Sequence, residues 1–366
     1  MSSSATDLVG PKPPAPVRAV SLAVRAYLRE HTPDALVVGV SGGADSLALA
    51  VTALDLAARQ GVPVSPITVD HGIRAESAGE AAGVVQLLRD QGAERARVVR
   101  PEPSGEWTGP EGEARDRRHR SLRQAARELQ AETGADTVDI LLGHTLDDQA
   151  ETVLLRLARG SGARSLGAMA RRTQLGPGLF LGRPLLDLRR ADTVACCQSL
   201  GLEPVEDPTN RVDSHWRTAA DEPLRRAAVR AWALPALERA LGQDVAPALA
   251  RTARQLQDDE QVLTGLADAQ MARLQTRSAD GHRLIPVTPT RALPAAIRRR
   301  LYRQLALECG AVAGELASVH LENVDRLVTN WHGQGPTWLP GAVRVRRRGS
   351  GLEFAPSTLW ANEDAQ

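Results

Sequence analysis

Five short apolar runs punctuate the first part of the chain: Ala35–Val40, Val64–Val69, Arg97–Arg100, Ile140–Gly143 and Leu179–Leu186. The stretches between them carry apolar residues at helical spacing, and Ser77-Ala78-Gly79-Glu80 has capping-box spacing that places one helix start. This alternation predicts an α/β fold with a doubly wound parallel sheet. In such a sheet ligands sit beyond the carboxyl ends of the strands, at the point where strand order reverses. Three polar segments fall at such ends: Ser41 to Ser46, Asp70-His71-Gly72 and His144.

The pattern changes around Glu203 to Asn210, after which the chain turns helical and rich in alanine, so a domain boundary is expected near residue 215. A long helix is predicted from Asp244 to about Leu274, with Pro247 near its start and Leu249, Leu256 and Leu263 as a packing seam. Ala292 to Glu308 reads as an arginine-studded helix, and Trp338 to Phe354 as a small β-hairpin turning at Pro340-Gly341 or Gly349-Ser350-Gly351. The Ser/Pro-rich segment 1–16 is expected to be a disordered tail. The expected organisation is therefore a tail, a catalytic domain over 17–215, and a mainly helical domain with a small β element over 216–366.

The chain has 366 residues and a formal net charge of +1, enough length for two domains with ample cores. Residues 217–366 carry 20 arginines against 16 acids, which suits nucleic acid only if those arginines cluster in space. The densest runs are Arg298-Arg299-Arg300 and Arg344 to Arg348. Cys196, Cys197 and Cys309 make no CxxC pair, so spacing supplies neither a metal framework nor an iron–sulfur site. No apolar run approaches transmembrane length and the N-terminus lacks a signal-peptide pattern, so a cytoplasmic protein is expected.

Ser41-Gly42-Gly43-Ala44-Asp45-Ser46 lies between the first strand and a helix rich in alanine and leucine. A glycine pair there lets backbone N–H groups converge at a helix N-terminus, which holds an anion without a side-chain cation. Lys12, in the tail, is the only lysine of the chain, so the loop lacks the Gly-Lys-Ser/Thr ending of kinase-type P-loops. It suits pyrophosphate release rather than γ-phosphoryl transfer. The six residues resemble the signature of the PP-loop ATP pyrophosphatases, a superfamily whose members adenylate a substrate oxygen.

A second constellation runs from His144 through Asp147, Asp148 and Glu151 at the start of a helix. Leu146, Ala150, Val153, Leu154 and Leu157 form its apolar stripe, and Asp148 and Glu151, three apart, project together. Acids also favour helix N-termini for dipole reasons alone. The stretch Leu146-Asp147-Asp148-Gln149-Ala150-Glu151-Thr152, with Leu154-Leu155 and Arg159-Gly160-Ser161-Gly162, is similar to the tRNA(Ile)-lysidine synthetase family. The likeness extends to Val69-Asp70-His71-Gly72-Ile73-Arg74, to Glu111, Ala114, Arg115 and Arg118, to Arg183-Pro184-Leu185-Leu186, to Glu206-Asp207-Pro208-Thr209-Asn210 and to Leu234-Pro235-Ala236-Leu237. His119 and Thr145 depart from the family's usual tyrosine and histidine. Trp216 to Leu224 reads as an insertion, with Arg226-Ala227 replacing an arginine-asparagine step before Arg230.

The resemblance implies a PP-loop, adenine nucleotide alpha-hydrolase-like domain that uses ATP, Mg²⁺ and free L-lysine to convert the wobble cytidine of the CAU-anticodon isoleucine tRNA into lysidine. Ser41, Gly42, Gly43, Ala44, Asp45 and Ser46 would cradle the nucleotide and Arg115 its α-phosphate. Asp45, Asp148 and Glu151 would recognise lysine; Asp45, Arg115, His144 and Asp148 would serve catalysis, and Asp147 magnesium or the helix cap. Arg298–Arg300 and Arg344–Arg348, with Trp331 and Trp338, are the expected RNA platform. No membrane or protein partner is required, and the oligomeric state, a homodimer included, is open. The alternatives are another PP-loop RNA modifier such as a tRNA thiolase, a small-molecule amidating synthetase, or a nucleotide sensor without catalysis.

Overall fold

The computed structural model describes residues 4–72, 76–101, 110–159, 162–206, 211–214, 216–218, 221–277 and 282–360, with the side chains of 110–114 excepted. Ile73-Arg74, the side chains of Glu111 and Ala114, Gly160-Ser161 and Asp207 to Asn210 lie outside the described residues. The chain forms two compact units, one made of 1–159 and 168–253, the other of 160–167 and 254–366.

The first unit begins with α1 (Ala5–Val9), α2 (Ala15–His31), β1 (Ala35–Gly39), α3 (Ala44–Gln60), β2 (Val64–Val69), α4 (Ser77–Asp90) and β3 (Arg97–Val99). It continues with α5 (Pro110–Thr133), β4 (Val138–Leu141) and α6 (Leu146–Leu157) and, after α7 (Ala163–Leu166) of the other unit, β5 (Arg172–Gly176), β6 (Leu179–Gly182) and α8 (Arg190–Ser199). The six strands form one sheet in the order β3-β2-β1-β4-β6-β5, parallel except for β5. Strand order reverses between β1 and β4, and the Ser41 loop and His144 both leave the sheet there.

Both faces of this sheet are covered, which is why its strands read as unbroken apolar runs. Leu36 and Val38 of β1 join α1 to α4 and α8 in one core, while Ala35 and Val37 join α5 in the other. Several strand ends move from their expected positions, three of them on β4 and β6. β4 starts at Val138 and stops at Leu141, and β6 stops at Gly182, because Arg183 turns inward to bond the Ala170 carbonyl at 2.6 Å and Pro184 cannot continue a ladder. β5 gave no apolar signal since it is a half-polar edge strand; Arg172 fastens it to buried Asp139 with bonds of 2.7 and 3.0 Å.

The expected disordered tail is corrected for its described part. Ser4 and Asp7 form a capping box on α1, and Ala5 and Val9 are buried in the first core. The capping box expected at Ser77 is also corrected: Ser77 is already helical, and its hydroxyl donates to Asp70 Oδ1 at 2.7 Å.

The change of composition near residue 215 falls inside the first unit. There α9 (Arg225–Ala228), a π-helical turn over Val229–Ala233 and α10 (Leu234–Leu241) run on as one rod, and Leu234, Val245 and Ala246 pack on Ala150 of α6. The division comes at Ala253, within α11 (Ala246–Leu274). The second unit adds β7 (Thr276–Arg277), β8 (Arg283–Pro286), α12 (Val287–Arg291), α13 (Ala295–Glu308), α14 (Ser318–Thr329), β9 (Thr337–Leu339), β10 (Val343–Arg348) and β11 (Gly351–Pro356). Its antiparallel sheet has the order β7-β8-β11-β10-β9, so the expected hairpin is one part of a five-stranded sheet and both candidate turns are used.

Candidate active site

The loop after β1 is built by two glycines. Gly42 has φ +90°, and a Cβ there would lie 2.9 Å from Val84 and 3.2 Å from Val205. Gly43 is the N-cap of α3 and supplies no side-chain cap, so the first helical N–H groups are left for an anion. Ser46 folds the loop back: its hydroxyl donates to the Gly43 carbonyl at 2.9 Å and accepts from the Ser41 N–H at 3.1 Å.

A third glycine, absent from the motif, holds the two constellations together. A Cβ on Gly143 would stand 2.7 Å from the Asp45 carbonyl oxygen and 3.1 Å from the Ser46 nitrogen. Gly143→Ala is therefore expected to displace the start of α3, costing about 1–3 kcal/mol of stability as overpacking does. ATP affinity should fall at least about tenfold, the equivalent of 1.4 kcal/mol. Calorimetric ATP titration beside a thermal melt checks this, and parent-like affinity would contradict the close approach.

Past Gly143 come His144 and Thr145, the N-cap of α6. Asp148 completes a capping box: its Oδ2 accepts from the Thr145 N–H at 2.8 Å and the Thr145 hydroxyl at 3.0 Å. Oδ1 remains, and accepts from Arg190 at 2.8 Å. Capping and site chemistry thus share one carboxylate. Glu151 is wholly buried and takes a two-pronged bond from Arg230, at 2.7 and 3.2 Å. Arg226 stands 3.9 Å from both acids. Leu157, expected in the buried stripe, is exposed because α6 ends there, while Ala150 and Val153 are buried as expected.

Asp45, Asp148 and Glu151 do come together, and the side chain that gathers them was missed in the sequence. Arg190 contacts them at 3.5, 2.8 and 3.5 Å. A signal was available: Arg189 and Arg190 sit at the start of α8, where a cation opposes the helix dipole and needs carboxylates from elsewhere. Asp147 supplies one set, bonding Arg189 at 2.9 and 3.2 Å and the Arg190 N–H at 2.8 Å. Those bonds tie Asp147 to the start of α8.

Burial raises the Asp45 carboxyl above its ordinary value, and Asp148 adds to this, against the Thr193 hydroxyl that donates to Asp45 and the Arg190 charge. Asp148 is buried too, but Arg190, the Thr145 N–H and Arg226 carry it below the ordinary range. His144 is held neutral, first by burial and then by Arg183, Arg118 and Arg226, against the pull of Asp148.

Arg115 belongs to a basin of cations. Burial and then Arg115 push Arg118 and Arg183 down to about 10, and burial with Arg115, Arg118 and Arg183 pushes His119 down to about 4. Arg156 feels Arg115 and Arg226 in the same direction. Mutual repulsion of this kind is relieved by an anion.

The RNA platform is corrected in part. In the second unit Arg298 binds Asp325 with two bonds of 2.7 and 2.8 Å, and Arg300 bonds Glu260, so those two hold the unit together while Arg299 is exposed. Arg346 pairs with Glu353 at 2.7 Å. Arg344 lies over Trp338 at 5.5 Å and Arg347 over Trp331 at 5.3 Å, and both tryptophans are exposed.

Residues 18–228 match the PP-loop domain family and residues 286–352 the TilS substrate binding domain. A tRNA(Ile)-lysidine synthase of Thermobifida fusca is 44% identical over 92% of this chain and 96% of its own. That of Leifsonia xyli is 46% identical over 89% and 91%. The chain belongs to the tRNA(Ile)-lysidine synthase family. The fold is shared with the U34-tRNA thiolase NcsA of Methanococcus maripaludis, at 18% identity and a TM-score of 0.50 over 66% of this chain and 79% of that one. That thiolase carries a [4Fe-4S] cluster. Here Cys196, Cys197 and Cys309 are buried, burial pushes their thiols up to about 12, 11 and 11, and no metal-binding group of three exists among the described residues. As a member of this family the chain is a ligase forming a carbon–nitrogen bond, with a PP-loop domain that uses ATP. No described helix is long and apolar enough to cross a membrane.

Proposed function

We propose that this enzyme joins the side-chain amine of free lysine to the wobble cytidine of the CAU-anticodon isoleucine tRNA, in two steps. The observation that carries this reading is the convergence of Asp45, Asp148 and Glu151 beside a phosphate-type loop that includes Asp45 itself, in the first turn of α3. An anion cradle and an ammonium site share one crevice.

In the first step the cytosine 2-oxygen attacks the α-phosphorus of ATP and pyrophosphate leaves. The backbone N–H groups around Gly42 and Gly43, in a loop that Ser46 closes, offer oriented donors to the leaving charge, and Arg115 with Arg118 and Arg183 offers cations for the nucleotide. Mg²⁺ fits here as a companion of the ATP phosphates, since it binds through one or two carboxylates plus phosphates. Asp45 and Asp147, at the starts of α3 and α6, are the carboxylates that would hold it. The metal's contribution is to offset charge on the departing pyrophosphate.

In the second step the lysine amine attacks the activated ring carbon and AMP leaves. Free lysine has a pKa of about 10.4, so the amine arrives protonated. Asp148 and Glu151 anchor the ammonium. Asp45, whose carboxyl is raised, accepts the proton as the bond forms, since proton transfer favours the more basic group.

The order of chemistry tests the assignment. With the acids engaged by the side-chain ammonium, the oxygen that is adenylated belongs to the tRNA. ATP, magnesium and lysine without tRNA should yield no AMP above background, and adding the isoleucine tRNA should start its release. Lysine-dependent pyrophosphate exchange without RNA would mean that the lysine carboxylate is activated and that the acids serve another end. The cytosolic setting of tRNA, and RNA stacking on Trp331 and Trp338, belong to this same reading.

A further inference from the structure

Arg190 sits where the substrate ammonium has to go. Its Nε, Nη2 and Nη1 nitrogens face Asp45 Oδ2, Asp148 Oδ1 and Glu151 Oε1 respectively. Three acceptors from three side chains match the three donors of an ammonium group. The acids also grade inward: their side chains are 24, 11 and 0% exposed, with Arg190 at 27%. The guanidinium therefore lies toward the mouth and Glu151 at the floor.

Resting on the lysine reading above, we propose that Arg190 is the resident counter-cation of the lysine site, and that substrate lysine binds by displacing it. Charge accounting requires a displacement. Arg190, Arg226 and Arg230 already balance Asp45, Asp148 and Glu151, so a fourth cation entering a buried cluster leaves one in excess. Of the three, Arg190 is the one whose departure leaves the acids partnered. Glu151 keeps its two-pronged bond to Arg230, Asp148 keeps the Thr145 cap, and Asp45 keeps the Thr193 hydroxyl. Two of the three contacts of Arg190 are long, at 3.5 Å, and its place as the first residue of α8 sets its charge against the helix dipole. In the absence of lysine the guanidinium keeps three neighbouring carboxylates from facing one another unscreened. It also makes the site selective, because an entering cation must outcompete it with all three acids at once.

Lysine binding to the full-length protein, measured by calorimetry, tests this with Arg190→Gln, Arg190→Lys and Asp45→Asn. Removing the competitor in Arg190→Gln should tighten lysine binding at least about fivefold, because the site is no longer self-occupied. Arg190→Lys, which retains a cation, should stay near the parent. Unchanged or weaker binding by Arg190→Gln overturns the proposal and makes Arg190 an anchor. The Asp45→Asn arm tests the underlying reading separately: if it leaves lysine affinity intact, the acids are not the lysine site, whatever Arg190 does. The parent protein provides a readout free of folding effects. Phenylglyoxal modification of Arg190, followed by mass spectrometry, should rise when lysine is added and should not respond to norleucine; protection by lysine overturns the proposal.

Discussion

Asp45→Asn is expected to fold as the parent does and to form lysidine at least about 10²-fold more slowly, the usual scale for losing a positioned proton acceptor. The two halves of this expectation have one cause. Burial raises the Asp45 carboxyl, so the folded protein pays for its charge, and an uncharged amide of the same shape removes that cost. The sign follows: a raised carboxyl contributes stability below its unfolded value, and that contribution is lost as pH rises through the folded value. Any gain in stability from asparagine should therefore show near neutrality and vanish in acid. Turnover has the opposite dependence on the charge, because the amide can neither attract the lysine ammonium nor accept its proton. Melting curves at two pH values beside lysidine formation measure both, and parent-like turnover with parent-like melting would remove Asp45 from the chemistry.

Glu151→Gln should behave differently, and the contrast comes from burial. Glu151 has no exposure and faces Arg230, Arg190 and Arg226 at once, so deleting its charge leaves buried cations uncompensated. Breaking one side of a buried pair costs about 3–5 kcal/mol. Urea denaturation should record a loss of that size, and in the folded fraction the lysine KM should rise more than the ATP KM, since the phosphate loop is untouched. Equal loss for both substrates would mean that Glu151 supports the crevice as a whole. A stability loss under about 1 kcal/mol would place its worth in the range of an exposed pair, against the geometry.

Much of the site was legible before the fold was known. The Ser41 to Ser46 loop declared itself because its residues need one another locally: the glycines shape the turn, and Ser46 closes it within five residues. Asp148 and Glu151 share a helical face by spacing alone. Arg115 entered through resemblance and finds itself among Arg118, Arg156 and Arg183. Arg298 and Arg300 show the reverse case. As a charge run they suggested an RNA surface, yet Asp325 and Glu260 consume them from 27 and 40 residues away.

What the sequence alone determined is what short-range physics controls: the alternation of strands and helices, the parallel sheet with two covered faces, the phosphate-type loop and the acidic face of α6. Tertiary structure alone decided which charges meet. Arg190 and Arg230 reach Glu151 across 39 and 79 residues of chain, and Gly143 touches the Asp45 backbone although nothing in its neighbours announces it. Charge and size say that a side chain needs a partner or a space; which partner or space is set by how the sheet's switch point brings the ends of β1 and β4 together, and by the rod of α9 and α10 laid beside α6. That is why the acids could be read from the sequence while the arginines that hold them could not.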